Sequence, residues 1–448
     1  MRRLRGSIAP LAIVAIIAGC SSSGSPSATV PTPTQAPSTS ASSPGASAAA
    51  SAASCPAGPV AINFWDFQGA TEIALVSDFE KTHPCIKVTQ KVTDYDAHHQ
   101  ALTTALASGT GVPDVAGVEI AQWPKYLAQP QNFVNLNDVG AKDVQSEYLP
   151  WMWQMASTSG GADQLGIPPA AAGLAIAYRA DYFEKAGLPK DRDAVAQLWP
   201  TWDAFVATCR TFSQKTKIPF VDSLGITFEG VLGQASKQYY DTNGTPIYAT
   251  NPSVRAAWDV AAAVHEAGCS AKITPWTDDW TTGMAKGSFG AMVAPSWMQN
   301  VISGAAPNDK GKWDIAALPG VGGNQGGSWL TIPAKAQHPT EAWEFIKWVT
   351  APEQQLVVFN TQGALPSTSS IFDSPDIQNA TSAYFNNAPI GKIYTKSLSG
   401  LQAPPMGPDQ LAIDNEFQAG LSRLDQGKET SEQAWNSTLE KIKLQIGQ

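Results

Sequence analysis

Aromatic side chains next to carboxylates are the residues of this sequence best suited to hold a ligand. The chain has 448 residues and 15 Trp, and Trp276 and Trp280 flank Asp278 and Asp279 in a loop-like stretch. An indole ring exposed in a loop is costly unless it has a use, because its apolar surface faces water. Such a ring can stack on the C–H face of a sugar, and carboxylates accept hydrogen bonds from sugar hydroxyls. The stretch predicts that Trp276 or Trp280 stacks on a carbohydrate.

Other candidates lie where loops leave predicted strands, since ligands of open α/β sheets bind outside the carboxyl ends of the strands. Glu119 follows an apolar stretch and either binds ligand or is a surface carboxylate at a helix start. Trp329 lies close to Gly327, where the missing side chain lets a ligand approach the backbone. Tyr239, next to Tyr240, either offers its ring to the ligand or forms a strand edge.

Alternating strands and helices must position these candidates. Apolar and polar periodicity predicts strand, helix, strand, helix and strand over 60–65, 71–81, 86–92, 97–108 and 114–118. This order is typical of a right-handed parallel α/β sheet. The alternation returns later, with strands over 173–178 and 290–294, helices over 251–268 and 340–348, and a helix capped by Thr201.

The first residues indicate export. Arg2, Arg3 and Arg5 precede an apolar run at 11–18 that is too short for the ~20 residues of a membrane span. The order resembles a lipoprotein signal peptide, residues 1–19, with the lipid on Cys20; the alternative is an ordinary secretory signal with an incidental Cys20. Residues 20–54 are almost all Ser, Ala, Thr, Pro and Gly and predict a disordered tether.

Charge and size narrow the function classes. The length fits two or three domains at ~100–200 residues each. The net charge is −9, and removing the three leader arginines from 29 basic residues leaves 26 against 38 acidic, or −12. An acidic chain without a basic run repels polyanions, so we expect no nucleic-acid partner.

Four cysteines remain after Cys20, an even number in an oxidising compartment. They allow three pairings, of which we favour the local pairs Cys55–Cys85 and Cys209–Cys269; the alternative is buried free thiols. A metal site is not expected, because the sequence has no C-x-x-C and no nearby His pair at ligand spacing.

Catalytic signatures do not stand out. Secreted glycoside hydrolases are also rich in Trp and use paired carboxylates, but the sequence has no G-x-S-x-G, P-loop or H-E-x-x-H. His98 and His99 are adjacent on a predicted helix, so their rings point in different directions, and we interpret them as a solvated face. We therefore expect a binding protein and not an enzyme.

Short motifs follow one another along most of the chain, each weak alone. They occupy residues 64–66, 79–84, 108–114, 166–168, 177–181, 186–189, 201–203, 287–292, 318–320, 326–328, 341–346 and 363–366. In this order they resemble the bacterial extracellular solute-binding proteins of family 1, the sugar-binding subunits of ABC importers. Residues 220–223, 241–244, 250–252 and 327–333 resemble the actinobacterial cello-oligosaccharide-type subfamily.

The resemblance implies an α/β fold of the two-lobe periplasmic-binding-protein type (type II-like), with hinge strands between the lobes. Ligand would bind in the cleft between them. The order of the motifs places the N-terminal lobe at 56–168 plus 296–332, the C-terminal lobe at 172–293 plus 334–448, and the crossings near 168–172, 293–296 and 332–334.

The resemblance also implies ligand residues. Asp66, Phe67 and Gln68 follow the first strand at a family contact position, although Asp66 could instead cap the next helix. Asp222 resembles a contact of the second lobe, with a turn residue as the alternative. Trp297 matches an aromatic residue common in the family.

The implied function is that of a substrate-binding lipoprotein that captures a carbohydrate, in particular an oligosaccharide, and delivers it to the permease subunits of an ABC importer. We expect a monomer without cofactors, attached through the N-terminal lipid to the outer face of the cell membrane. The alternatives are a non-sugar solute, a secreted glycoside-active enzyme and a structural lipoprotein without a cleft.

Overall fold

Two sheets organise the part of the chain that the computed structural model describes, residue 55 and residues 58–447. The predicted signal peptide, Cys20 and the tether lie outside the described residues. The first sheet has the order β2-β1-β3-β7 and the second the order β5-β4-β6. The strands are β1 (Val60–Phe67), β2 (Ile86–Thr93), β3 (Val115–Glu119), β4 (Leu174–Arg179), β5 (Ala291–Pro295), β6 (Trp313–Ala316) and β7 (Ser328–Thr331).

Helices cover both sheets, and one begins at the predicted cap, where the Thr201 hydroxyl accepts a hydrogen bond from the Ala204 N–H at 3.2 Å. Among the described residues, no helix is long and apolar enough to cross a membrane. The helices are α1 (Val76–Thr82), α2 (Tyr95–Ser108), α3 (Trp123–Leu127), α4 (Pro150–Met155), α5 (Ala180–Lys185), α6 (Arg192–Ala196), α7 (Trp202–Thr216), α8 (Leu224–Leu232), α9 (Pro252–Glu266), α10 (Asp278–Lys286), α11 (Met298–Ala305), α12 (Pro339–Val349), α13 (Pro352–Gln362), α14 (Pro375–Gln378), α15 (Ile390–Leu398), α16 (Gln410–Asp425) and α17 (Ser431–Gln445).

The first sheet confirms the predicted parallel order of its three early strands. β1 pairs in parallel with β2 and β3, while β7 joins β3 antiparallel. Alternate residues of β1 are buried, and Phe64 packs against Phe345 of α12 with ring centroids 5.1 Å apart. This packing fixes the carboxyl ends of β1 and β3 at one edge, where Phe67 and Glu119 lie.

The second sheet departs from the parallel pairing that the alternation of elements suggested. β4 pairs antiparallel with both β5 and β6. Leu174 at the start of β4 pairs with Pro295 at the end of β5. Strand β4 therefore begins, and strand β5 ends, at the junction with the first sheet. Parallel bridges connect Val221 to Ala291 and Ser270.

Three chain segments meet at the junction between the sheets. The Ser296 N–H donates to the Gly173 carbonyl at 2.9 Å, and the Gln325 N–H donates to the Ala172 carbonyl at 3.0 Å. The first two segments lie around residues 172–173 and 296, and the third, at 317–327, connects β6 of the second sheet to β7 of the first. The predicted crossings and lobe boundaries stay predictions.

Strand pairing groups two parts of the chain differently from the motif order. Residues 313–316 pair with β4, although 296–332 was assigned to the N-terminal lobe. Helix α12 packs against β1 and α1, although 334–448 was assigned to the C-terminal lobe. The motif order could not decide either point, because strand and helix partners are set by contacts distant in sequence.

Two disulfides tie loops to these layers, Cys55–Cys85 and Cys209–Cys269, with Cα atoms 5.4 and 5.9 Å apart. They are the two favoured pairs. The second joins α7 to the segment after α9, next to Phe220, whose N–H donates to the Cys269 carbonyl at 2.7 Å.

Candidate functional site

Three indole rings lie against one another near the junction of the sheets, and we call them the tryptophan group: Trp276, Trp280 and Trp297. The Trp276 ring centroid lies 4.8 Å from that of Trp280 and 5.7 Å from that of Trp297, with the ring planes tilted by 53° and 30°. Trp276 is 63% exposed, Trp297 is half-buried and Trp280 is buried. The group therefore presents an apolar surface to solvent on a buried support.

The backbone at Trp276 is strained. Its φ of +66° lies in the left-handed region, which bulky residues adopt rarely and at a cost of about 1–3 kcal/mol. Thr277 then caps α10 by accepting a hydrogen bond from the Trp280 N–H, and the Trp280 indole N–H donates to Asp222 Oδ2 at 2.8 Å. The fixed start of α10 thus holds the preceding ring outward.

Trp297 is placed by the end of β5 and by a glycine opposite it. Its indole N–H donates to the Gln325 carbonyl at 3.1 Å. A Cβ on Gly326 would lie 2.9 Å from the Trp297 Nε1, and Gly326 has a φ of +108°, so this position requires glycine. The adjoining Gly327, with a φ of +130°, accepts a hydrogen bond from the Ile120 N–H at 2.9 Å.

Glu119 lies at the end of β3 with partial exposure. Its Oε2 accepts hydrogen bonds from the Tyr95 hydroxyl at 2.9 Å and from the Ala121 N–H at 2.7 Å. Burial and, after it, the negative charge of Asp414 raise the pKa of Glu119 to about 7.

Glu229 and Asp414 approach from the side of the second sheet. Glu229 is the one charged residue of α8, and its two carboxylate oxygens accept hydrogen bonds from the side-chain amides of Gln325 and Gln418. Asp414 lies one turn before Gln418 on α16 and accepts a hydrogen bond from the Tyr239 hydroxyl at 2.7 Å.

These groups and Asp222 form a carboxylate cluster, which we define as Glu119, Asp222, Glu229 and Asp414. Burial raises the pKa of Glu229 well above its ordinary value, and the charges of Asp414, Asp222 and Glu119 raise it further. Burial likewise raises the pKa of Asp222 to about 7. The cluster thus joins the end of β3 to the helices of the second sheet.

The residues predicted at the end of β1 divide between two environments. Phe67 lies beside the cluster, with its ring centroid 5.8 Å from that of Tyr95, and Gln68 is exposed. Asp66 is fully buried, and burial together with the nearby Glu72 carboxyl raises its pKa well above the ordinary value. Direct contact of Asp66 with a ligand stays a prediction, since no surface of Asp66 is exposed in this structure.

Four other predicted contacts are also buried in this conformation. Trp329 stacks on Trp123 at 5.3 Å, and Trp280, Tyr239 and Asp222 have no more than 1% of their surface exposed. They support the wall of the site rather than its surface, because each is covered by packing from neighbouring elements. Trp276, Trp297, Glu119, Phe67 and Gly327 remain at its surface.

The interpretation of His98 and His99 as a solvated face is wrong, since both are buried. The His98 Nε2 meets the Gly117 carbonyl at 2.7 Å. The His99 Nε2 accepts a hydrogen bond from the Glu119 N–H at 3.2 Å, so its Nδ1 carries the proton and donates to the Tyr95 carbonyl at 2.8 Å. Burial lowers the pKa of His99 to about 3. The ring is neutral and orients Glu119.

Sequence reasoning missed several residues of the site: Tyr95, Glu229, Gln325, Asp414 and Gln418. One signal was available, because Glu229 interrupts an otherwise uncharged and largely apolar helix. A carboxylate on such a helix is buried at a cost unless it has partners or a use. The others carry no local signal.

Two surface cavities lie away from the site and share no residue with it. One, of about 380 Å³, is lined by Lys142, Gln145, Ser146, Tyr148, Pro150 and Trp153. The other, of about 410 Å³, lies between α13 and the segment around α14. Among the described residues, no group of three or more His, Cys, Asp or Glu could hold a metal ion.

Comparison with known proteins agrees with this architecture. The arabinooligosaccharide-binding protein of Halalkalibacterium halodurans is 23% identical over 414 residues, 87% of this chain and 91% of that protein. A crystal structure of an extracellular solute-binding protein of family 1 superposes with a TM-score of 0.79 at 36% identity, covering 86% of this chain and 99% of that one.

A second structure, of the ABC transporter-associated binding protein from B. animalis subsp. lactis Bl-04 in complex with β-1,6-galactobiose, has a TM-score of 0.71 at 21% identity, covering 86% of this chain and 97% of that one. It supports the two-lobe fold. The sequence profile of the family described as "bacterial extracellular solute-binding protein" matches residues 74–384. The chain thus belongs to the bacterial extracellular solute-binding proteins, a family of binding proteins that act outside the cytoplasm.

Proposed function

We propose that this protein captures an oligosaccharide between its two lobes and delivers it to the permease of an ABC importer. The observation that carries the proposal is the tryptophan group, with Trp276 63% exposed in a strained backbone beside the carboxylate cluster. A strained, exposed aromatic residue next to planar acceptors is suited to a ligand that has both apolar faces and hydroxyl donors.

The aromatic rings and the carboxylates of the site bind different parts of the ligand. The rings of Trp276 and Trp297 stack on sugar faces, and the oxygens of Glu119 and Glu229 accept hydrogen bonds from hydroxyls. Glu119 belongs to the first sheet and Glu229 to a helix on the second. A ligand that touches both is held better when the lobes are closed, so binding shifts the population toward closure.

The relatives support the ligand class. Their names refer to arabinooligosaccharides and to β-1,6-galactobiose. We further propose that cleavage before Cys20 and lipidation of its thiol keep the protein at the outer face of the membrane, within reach of the permease.

The test is isothermal calorimetry with arabinotriose, cellotriose and β-1,6-galactobiose, alongside amino acids and polyols. Thermal melting gives a second readout, since a ligand at 100 times its dissociation constant adds about 2.7 kcal/mol of stability. We expect at least one oligosaccharide to bind. Binding of amino acids or polyols alone would contradict the sugar assignment, and no binding would contradict capture itself.

Variants locate the site. Trp276→Ala should weaken oligosaccharide binding, because it removes the exposed ring of the tryptophan group. Leu444→Ala is the matched control, since Leu444 is 82% exposed on α17. Equal affinities of the two variants would contradict a role for the tryptophan group.

A further inference from the structure

The carboxylate cluster has a property that ligand stacking does not explain: its members lie together without a cation. Gln325 links two of them, because its amide reaches Glu229 while its neighbour Gly327 accepts from Ile120, next to Glu119. Asp414 lies one turn from Gln418, the second amide partner of Glu229. The cluster is therefore continuous from the end of β3 to α8 and α16.

The hydrogen-bond partners of the cluster are neutral. They are the hydroxyls of Tyr95 and Tyr239, the amides of Gln325 and Gln418, the Trp280 indole and the Ala121 N–H. Among the described residues, no ion pair joins one of these four carboxylates to Lys, Arg or His.

The surrounding titratable groups do not compensate the charge either. His99, which orients Glu119, is neutral, because burial lowers its pKa to about 3. Asp425, near Asp222, has its own partner in His265, at 3.5 Å, so it does not bring a cation to the cluster. After burial, the charges of other members of the cluster raise the pKa of Glu119 and of Glu229. A negatively charged ligand would therefore be repelled by the carboxylate cluster.

The cluster also has unused acceptor capacity. The Oε1 of Gln325, which is partly exposed, has no hydrogen-bond donor within the described residues, and neither has the Oδ1 of Asp222, which is buried in the wall behind the surface of the site. Buried acceptors are stabilised by donors such as hydroxyl groups, whereas a ligand carboxylate, sulfate or phosphate would bring more acceptors. The charge of the cluster and its free hydrogen-bond acceptors thus both favour a ligand that donates hydrogen bonds and carries no negative charge.

We propose that the carboxylate cluster makes the site selective by charge: it admits oligosaccharides without negative charge and excludes acidic ones such as uronic-acid saccharides. This inference rests on the proposed function and narrows its substrate class. The residues that determine the selectivity are Glu119, Glu229 and Asp414, since they are partly exposed and face the ligand from both sheets.

The experiment compares matched ligands by calorimetry on the full purified protein. The probes are arabinotriose, cellotriose and β-1,6-galactobiose, and for each the derivative with one primary hydroxyl oxidised to a carboxylate, and the methyl ester of that derivative. At pH about 8 we expect the acid to bind about 100-fold more weakly than the neutral sugar, and the uncharged ester to regain most of the affinity.

A comparison of variants and a comparison of two pH values distinguish an effect of ligand charge from an effect of ligand shape. Glu119→Gln and Glu229→Gln should each narrow the difference between acid and neutral sugar by about tenfold, while Glu266→Gln, an exposed residue at the end of α9, should leave it unchanged. At pH about 5.5 the difference should narrow in the wild type, because Glu119 and Asp222, with pKa values of about 7, become protonated.

The outcomes are distinct. Equal binding of acid and neutral sugar at pH about 8 would overturn the charge selectivity and leave oligosaccharide capture standing. An ester that binds as weakly as its acid would overturn it as well, since shape would then decide. Failure of every neutral and acidic probe would overturn the proposed function and this inference with it.

Discussion

Two groups of buried carboxylates lie near the carboxyl ends of neighbouring strands and behave in opposite ways. Near the end of β1, Asp66 and Glu72 are fully buried and face each other. At the end of β3, Glu119 is partly exposed, and Glu119, Glu229 and Asp414 each accept hydrogen bonds from neutral donors of their own. The first pair is closed off from solvent, whereas the second group has carboxylates that a ligand can reach.

The comparison teaches that a carboxylate at a strand end is not by itself a contact. The two groups differ in whether the surface beside them is accessible to a ligand. The cluster at β3 lies next to exposed indole rings, whereas Asp66 lies under Gly117, where an added Cβ would be 2.2 Å from its Oδ1.

The carboxylate cluster and the Asp66–Glu72 pair should differ most in how strongly their substitution weakens ligand binding. We expect Glu119→Ala or Trp297→Ala to weaken oligosaccharide binding by about 30-fold or more, because each removes a central contact. Asp66→Asn should change the affinity by less than about threefold. Calorimetry with the tightest neutral sugar measures both, and an equal loss in Asp66→Asn would remove the distinction.

Packing around Asp66 leads to a stability test. Gly117→Ala should lower the free energy of unfolding by about 1–3 kcal/mol, since its methyl group would overlap the Asp66 carboxylate. Gly304→Ala in α11 is the control, with nothing within 4 Å of the added carbon, and should raise stability by up to about 1 kcal/mol through helix propensity. Urea unfolding of both variants measures the difference; no loss in Gly117→Ala would contradict the tight burial.

The raised pKa of Asp66 and Glu72 should appear in the pH dependence of stability. Burial raises the pKa of both carboxyls, so the folded chain keeps a proton that the unfolded chain releases at about pH 4. Their contribution is therefore full below about pH 4 and is lost as the pH rises through the folded pKa. Asp66→Asn should remove part of this loss, so that the free energy of unfolding, measured in urea from pH 5 to 8, falls less steeply with pH than in the wild type. An unchanged slope would contradict the raised pKa of Asp66.

The pH dependence of stability that Glu119 contributes should have the same sign as that of Asp66 and Glu72 but a smaller magnitude. Its pKa of about 7 means that wild-type stability falls as the pH rises from about 4.5 through 7. Because the side chain is partly exposed, we expect Glu119→Gln to recover at most about 1 kcal/mol at pH 8. Glu266→Gln should recover nothing. A larger recovery in Glu119→Gln than in Asp66→Asn would reverse the comparison.

Local patterns were sufficient for much of the first sheet. The strands β1, β2 and β3 and the cap at Thr201 follow from apolar alternation and capping chemistry, which depend on neighbours in sequence. The partners of β6, β7 and α12 depend on contacts far apart in the chain, so local patterns could not predict them.

The site shows the same division. Trp276 could be singled out because an indole in a loop is unusual, whereas Trp329 has the same side chain and ends in the core against Trp123. Glu229 and Asp414 lie within helices, and only the packing of α8 against α16 brings them together. Residue type indicates what a side chain can do, and tertiary packing decides whether it is available.

The most direct test is a crystal structure of the protein with the tightest neutral oligosaccharide. We expect a sugar ring stacked on Trp276 or Trp297, with hydroxyls donating hydrogen bonds to Glu119 and Glu229. A sugar bound elsewhere, for example in the cavity of Tyr148 and Trp153, with the tryptophan group free, would contradict the account.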